Sequence, residues 1–164
     1  MIGLLTACMI SVGTHINKIN LIPSYVMMEE YNDMYILSHD GRISHISDEE
    51  KELIARCVMS EAGGASELEQ EAVATVIFNR YFSPNYPNTF KEILAPGQFS
   101  LHDNGEITTE VYLSVSRAMV NYGTGMQCLP YNCYYFRASH YHNFGIPYMQ
   151  IGNTYFSLSE EATD

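Results

Sequence analysis

From Ser47 onward the apolar positions fall into helical stripes. Leu53, Ile54, Cys57 and Val58 lie on one face of a segment running from Ser47 to Glu61, the spacing of an amphipathic helix. Ser47, followed three residues later by Glu50, predicts a capping-box start, and Gly63-Gly64 predicts the end. A second helix opens at Ser66, with Glu69 in the same relation, and runs through Val73, Val76 and Ile77 to about Tyr81. Pro84-Asn-Tyr-Pro87-Asn88 breaks it. A short helix at 89–94 and a Pro96-Gly97 turn follow. A third substantial helix spans about 109–121, with Val111, Val115, Ala118 and Met119 inward and Gly123 beyond its end.

The remainder reads as strand. Segments 133–137, 148–151 and 154–157 are separated by a His-rich loop with Gly145 and Pro147. Upstream, Met34-Tyr-Ile-Leu-Ser and Ile43-Ser-His-Ile flank Asp40-Gly41, a hairpin signal. Helices followed by an antiparallel β ribbon give an α+β, mainly helical class. The expected organisation is an N-terminal extension, 1–46, loosely packed and holding the hairpin. A main domain, 47–158, and an acidic tail, 159–164, follow it.

A length of 164 residues suits one domain with a short appendage. No apolar run approaches the roughly 18 residues of a membrane span. With 19 acidic against 8 basic residues the net charge is −11, which opposes nonspecific nucleic-acid binding and attraction to an anionic surface. A neutral or cationic polymer stays open as a substrate. Of the cysteines, Cys57 lies on the apolar helix face as a buried thiol. Cys128 and Cys133 are close enough in sequence to bridge, and an even count alone leaves the redox compartment open. Leu5-Thr-Ala-Cys8 resembles a lipoprotein cleavage box, but no basic residue precedes it.

Glu61 is the first candidate for chemistry. It falls four after Cys57 and three after Val58, so a carboxylate lies on the apolar face beside a glycine break that can open a cleft. A half-buried carboxyl tends to stay protonated, as a general acid requires. The alternative is a last-turn Glu that reaches solvent past the helix end. Tyr131, Tyr134, Tyr135, Phe136, Tyr141, Phe144, Tyr148, Tyr155 and Phe156 crowd the ribbon. Such rings suit a carbohydrate groove, although strands favour aromatics in any case. Alternation sets Tyr135 opposite Tyr134 and Phe136; Tyr135, with its polar handle, is the expected groove residue and Phe136 the core one. Gln98 and Ser100, either side of Phe99, are polar candidates after a turn. His140, His142 and Cys133 lack the further ligands a zinc site wants, and nothing orients a base for Cys133 as nucleophile. No phosphate loop, Gly-x-Ser-x-Gly or His-Glu-x-x-His motif is present, so neither a metal nor another cofactor is expected.

Five pieces in fixed order carry a resemblance. They are Ser60-Glu61-Ala62-Gly63-Gly64, Gln70-Glu-Ala-Val-Ala-Thr-Val-Ile-Phe-Asn79-Arg80, Pro87-Asn88-Thr89-Phe90, Gly97-Gln98-Phe99-Ser100, and the ribbon segments Tyr134-Tyr135-Phe136-Arg137-Ala138-Ser139 and Ile151-Gly152-Asn153. Over about 51–157 the chain resembles the cell-wall hydrolases typified by spore cortex-lytic enzymes of the SleB type, including phage relatives. The resemblance implies a lysozyme-like fold with Glu61 as the catalytic glutamate. It implies action on peptidoglycan glycan strands outside the cytoplasm, with Gln98 in the cleft wall and Tyr135, Phe136 and Asn153 contributed by the ribbon. Two departures touch the cleft: Gly63-Gly64-Ala65 stands where the family often has Arg-Gly-Glu, and Thr154 stands where it often has His. No wall-binding repeat is seen, so a delivery partner, a virion or a lost domain would bring it to an anionic wall.

The leading expectation is a lytic transglycosylase, which needs one catalytic carboxylate where ordinary glycosidases need two. Asp103 and Glu106 are the candidates for a second, which would make a hydrolytic muramidase. A glycan-binding or virion structural module without turnover, and a cysteine hydrolase using Cys133, are the other classes.

Overall fold

The computed structural model describes residues 34–99 and 105–160. Strands β1 (Met34–Leu37) and β2 (Ile43–Ile46) form the hairpin expected around Asp40-Gly41, with Met34 opposite Ile46 and Leu37 opposite Ile43. Gly41 takes a φ of +85° in its turn. Arg42 ion-pairs with Asp40 at 2.8 Å and donates to the carbonyl of Phe82. Ile36 and Ile46 are fully buried in the same apolar cluster as the helices. These strands therefore belong to the core and are not loosely attached to it.

Helix α1 (Asp48–Ala62) starts with the full reciprocal box: Glu50 N donates to Ser47 Oγ at 3.2 Å, and Ser47 N donates to Glu50 Oε2 at 3.0 Å. It buries Ile54, Ala55, Cys57, Val58 and Ala62. Helix α2 (Glu67–Phe82) is the axis of the fold, buried without a break from Ala72 to Arg80. A helix this enclosed also encloses its polar side chains, and each of them needs a partner. α3 (Phe90–Ile93) is a single turn that sends Phe90 under α2, where its ring stacks on Tyr81 at 4.1 Å.

Helix α4 (Thr109–Thr124) outruns the expected end by one turn. Gly125, at φ +72°, is its left-handed cap, where a residue with a Cβ is strained. Gly123 is inside the helix, and a Cβ there would stand 3.5 Å from Leu37, so its smallness serves the packing of β1 against α4. Glu71 of α2 pins α4 by accepting from Arg117 Nε at 2.5 Å and from Asn121 at 3.3 Å.

The ribbon has three antiparallel strands, β3 (Cys133–Ala138), β4 (Ile146–Ile151) and β5 (Thr154–Leu158), in the order β3-β5-β4. β5 is central and buries Phe156, while β4 is an exposed edge. Phe136 packs on the core side, with ring centroids 5.8 Å from Phe99 and 6.0 Å from Phe156. The start of the acidic tail is tied down, since Ser159 N donates to the carbonyl of Asn132 at 2.9 Å.

Two α2 side chains hold the ribbon. Asn79 Nδ2 donates to the carbonyls of Pro130 at 2.9 Å and Cys133 at 2.8 Å. Arg80 donates twice to the carbonyl of Tyr134, from Nε at 2.9 Å and Nη2 at 2.7 Å. Asn79→Ala leaves two carbonyls without this donor. It should cost about 2–4 kcal/mol, a fall in Tm of roughly 5–15 °C, measurable by calorimetry.

Candidate active site

Glu61 occupies the last turn of α1 and is half-buried. The chain leaves the helix through Gly63, which keeps right-handed helical angles (φ −59°) and so is not the left-handed cap that the Gly63-Gly64 pair suggests. A side chain at Gly63 would collide with Met59. The Ala62–Ala65 link is then fixed from α2. Gln70 Nε2 donates to the carbonyls of Ala62 at 3.2 Å and Ala65 at 3.3 Å, and its Oε1 accepts from Ser114 Oγ of α4 at 2.8 Å. The end of the helix that carries Glu61 is thus held by a buried amide.

A cleft of about 660 Å³ opens beside it. One wall is the α1 terminus, from Met59 through Glu61 to Ala65; the other is the ribbon, with Ala138, Asn153 and Thr154. The ribbon wall is shaped by a tight turn. Gly152 has φ +56°, Ser139 has φ +71°, and Ser139 N donates to the carbonyl of Asn153 at 2.9 Å. Glu69, at the start of α2, also lines the cleft. Ser66 Oγ accepts from Glu69 N at 3.3 Å as the sequence predicts, but the carboxylate does not return to complete a capping box. Its Oε1 accepts from Thr154 Oγ1 at 2.6 Å instead.

Arg80 links this cleft to the aromatic side of the molecule. It is enclosed, with its guanidinium 4.7 Å from the Phe99 ring and 5.3 Å from that of Tyr86. Burial lowers its pKa, against the opposing pull of Tyr86, Tyr135, Cys57 and Glu61. Burial, and secondarily the Glu61 charge, push the Cys57 thiol far up. Both groups therefore lie within electrostatic reach of Glu61.

Of the expected site residues, the structure brings Glu61 and Asn153 together on one cleft. Gln98 is exposed on the Pro96–Phe99 turn and does not line it. Tyr135 lines a second cavity of about 640 Å³ with Asn85, Tyr86, Tyr134 and Phe144. A register shift between Cys133 and Tyr135 accompanies this placement, as bulges redirect side chains. Ser100 and Asp103, and Cys8 far upstream, lie outside the described residues, and Glu106 is exposed. Cys128 and Cys133 are free thiols. Burial, reinforced by Cys128, pushes Cys133 up to about 12. His142 Nε2 donates to the carbonyl of Phe136 at 3.0 Å and stacks on Phe144, while His140 is exposed. Among the described residues no three His, Cys, Asp or Glu side chains gather as a metal site. Thr154 lines the cleft, as the resemblance implied, but sequence reasoning missed Glu69 as a cleft residue. The only signal was Glu69's place in a capping pattern, which pointed it elsewhere.

A sequence model of the cell wall hydrolase family matches residues 64–157, beginning just after Glu61. The catalytic domain of the Bacillus cereus SleB protein is similar in structure, with a TM-score of 0.56 and 25% identity, over 68% of this chain and 91% of that one. The catalytic domain of the germination-specific lytic transglycosylase SleB from Bacillus anthracis superposes with a TM-score of 0.57 and 24% identity, over 68% and 95% of the two chains. Curated proteins returned no match. The fold is the α+β, lysozyme-like one that the resemblance implied. The family match takes in more than half of the chain, including α2 and the whole ribbon that walls the cleft, and this protein belongs to the cell wall hydrolase family.

Proposed function

We propose that the protein cleaves the glycan strands of peptidoglycan between N-acetylmuramic acid and N-acetylglucosamine, with Glu61 as the single catalytic carboxylate. The observation that supports this most directly is Glu61 on the wall of an open cleft, across from Asn153, in a chain of this family. Protonated Glu61 gives its proton to the glycosidic oxygen of the leaving sugar. As a carboxylate it then takes the proton of the muramic acid C6 hydroxyl, whose oxygen closes on C1 to give a 1,6-anhydro end. Water in place of that hydroxyl gives the hydrolytic, muramidase outcome. The likeness to a lytic transglycosylase domain favours the anhydro route. So does the other carboxylate in the cleft: Glu69 is engaged with Thr154 and packed on Gly152, and is not open to hold an attacking water. The site of action is then the wall, outside the cytoplasm; among the described residues no helix is long and apolar enough to cross a membrane.

Asn153 is the substrate contact on the ribbon wall. Gln98 and Tyr135 are proposed as contacts further along the glycan strand, away from the point of cleavage, and Ser100 as a further substrate contact. A glycan-binding module without turnover is the second reading, supported by Ala65 and Thr154 at cleft positions where the family often has Glu and His.

Glu61→Gln keeps the shape and removes the titrating proton. Turnover of peptidoglycan should fall by at least about 10²-fold, with Tm unchanged or higher, in a turbidity assay run beside a melting curve. An unaltered rate removes Glu61 from the mechanism, and a wild type that binds glycan without cutting it establishes the binding module. Mass spectrometry of the digest should show 1,6-anhydro ends; hydrated ends throughout mean a muramidase. The Cys133 thiol, raised to about 12, stays protonated through neutral pH and supplies its thiolate only in strong alkali. Iodoacetamide at pH 7.5 should therefore leave the rate unchanged, as should a metal chelator; loss with either reagent brings back the cysteine or the zinc reading.

A further inference from the structure

Glu69 is only 6% exposed, and so is Thr154. Among the described residues no Lys or Arg pairs with the Glu69 carboxylate. Its hydrogen-bond donor is the Thr154 hydroxyl, 85 residues along the chain and 2.6 Å away. That distance is typical of a charge-assisted O–H···O bond, roughly twice as strong as a neutral one. A buried carboxylate with one neutral partner is a poor source of stability, so the bond matters chiefly for what it places.

It places the turn between β4 and β5. Gly152 lies so close to Glu69 that a Cβ there would stand 2.7 Å from the carboxylate carbon and collide with its oxygen. Glu69 thus grips the turn on both sides of Asn153, by contact at Gly152 and by hydrogen bond at Thr154. Asn153 has its carbonyl tied to Ser139 N at 2.9 Å and lies exposed on the cleft. The turn is thus held at three successive residues, with the Asn153 side chain left for a ligand. Gln70, the next residue of α2, fixes the opposite wall at Ala62 and Ala65. One turn of α2 therefore sets both walls of the cleft.

We propose that Glu69 is a positioning residue: its grip on Gly152 and Thr154 holds Asn153 across the cleft from Glu61, where the acetamido sugar of a glycan strand binds. This rests on the reading of the cleft as a glycan site.

The test uses the full chain in a Glu61→Gln background, so that binding of purified glycan strands is measured by calorimetry without turnover. Thr154→Val and Glu69→Ala should each weaken binding by about tenfold. Thr154→Ser should restore it. The double variant should be no weaker than either single one, because both remove the same bond. Glu69→Gln keeps an acceptor and the packing volume, and should fall between the parent and Glu69→Ala. Melting curves accompany each variant, and the Ser and Gln variants serve should Val or Ala fail to fold. Parental affinity in Thr154→Val, no rescue by Ser, or additive losses in the double variant overturns the proposal. If the Glu61→Gln parent itself binds no glycan, the glycan reading of the cleft fails first and the positioning role falls with it.

Discussion

The structure depends on the buried polar side chains of one helix. α2 is enclosed on nearly all sides, so Gln70, Asn79 and Arg80 cannot reach bulk water. Buried polar groups left unpaired are expensive, and each of these three donates to backbone carbonyls of neighbouring segments, with only Asn79 Oδ1 and Arg80 Nη1 left over among their buried atoms. Gln70 takes the link after α1; Asn79 and Arg80 take the entry to β3 and its second residue. A slide of α2 by one residue would break every one of these bonds at once. Apolar packing is forgiving of such shifts when volume is kept, while directional bonds are not. The helix is in effect the ruler against which the ribbon and the α1 terminus are measured.

The cleft follows from that arrangement. It lies at the N-terminal end of α2, between two segments that α2 itself holds. Both walls carry polar groups among small apolar residues, with Ser60 and Glu61 on one and Asn153 and Thr154 on the other. The aromatic cavity lies at the other end of the same helix, where Asn85 and Tyr86 follow α2 and meet Tyr134, Tyr135 and Phe144. Arg80 stands between the two, stacked on Tyr86 and Phe99 and within reach of the Glu61 charge. The Glu61 cleft and the aromatic cavity are thereby separated along one rigid element.

Much of this was legible in the chain. The period of the apolar residues gave α1, α2 and α4, because an amphipathic stripe is a local pattern. Ser47 and Glu50 formed the box they announced, since both partners lie within one turn. Glu61 stood out because its place on the α1 face and the glycines after it are both local features. The strands of the ribbon were visible in their aromatic and β-branched residues. Their order was not: β5 lies between β3 and β4, and it is the central strand that buries Phe156.

What the sequence determined by itself is therefore the set of elements and the carboxylate at the end of the first helix, since spacing within one or two turns fixes both. Tertiary structure decided which side chains meet. Ser66 and Glu69 read the same as Ser47 and Glu50, yet the second carboxylate turned away to a hydroxyl 85 residues distant. Tyr135 and Asn153 both sit on the ribbon, yet only Asn153 reaches the cleft of Glu61, because the shift near Cys133 sends Tyr135 to the other cavity. Gly123 and Gly125 look alike as helix stops; one is a left-handed cap and the other makes room for Leu37. For Glu69 and Gly123 the partner comes from a distant part of the chain, and no local pattern specifies a partner that only packing brings near.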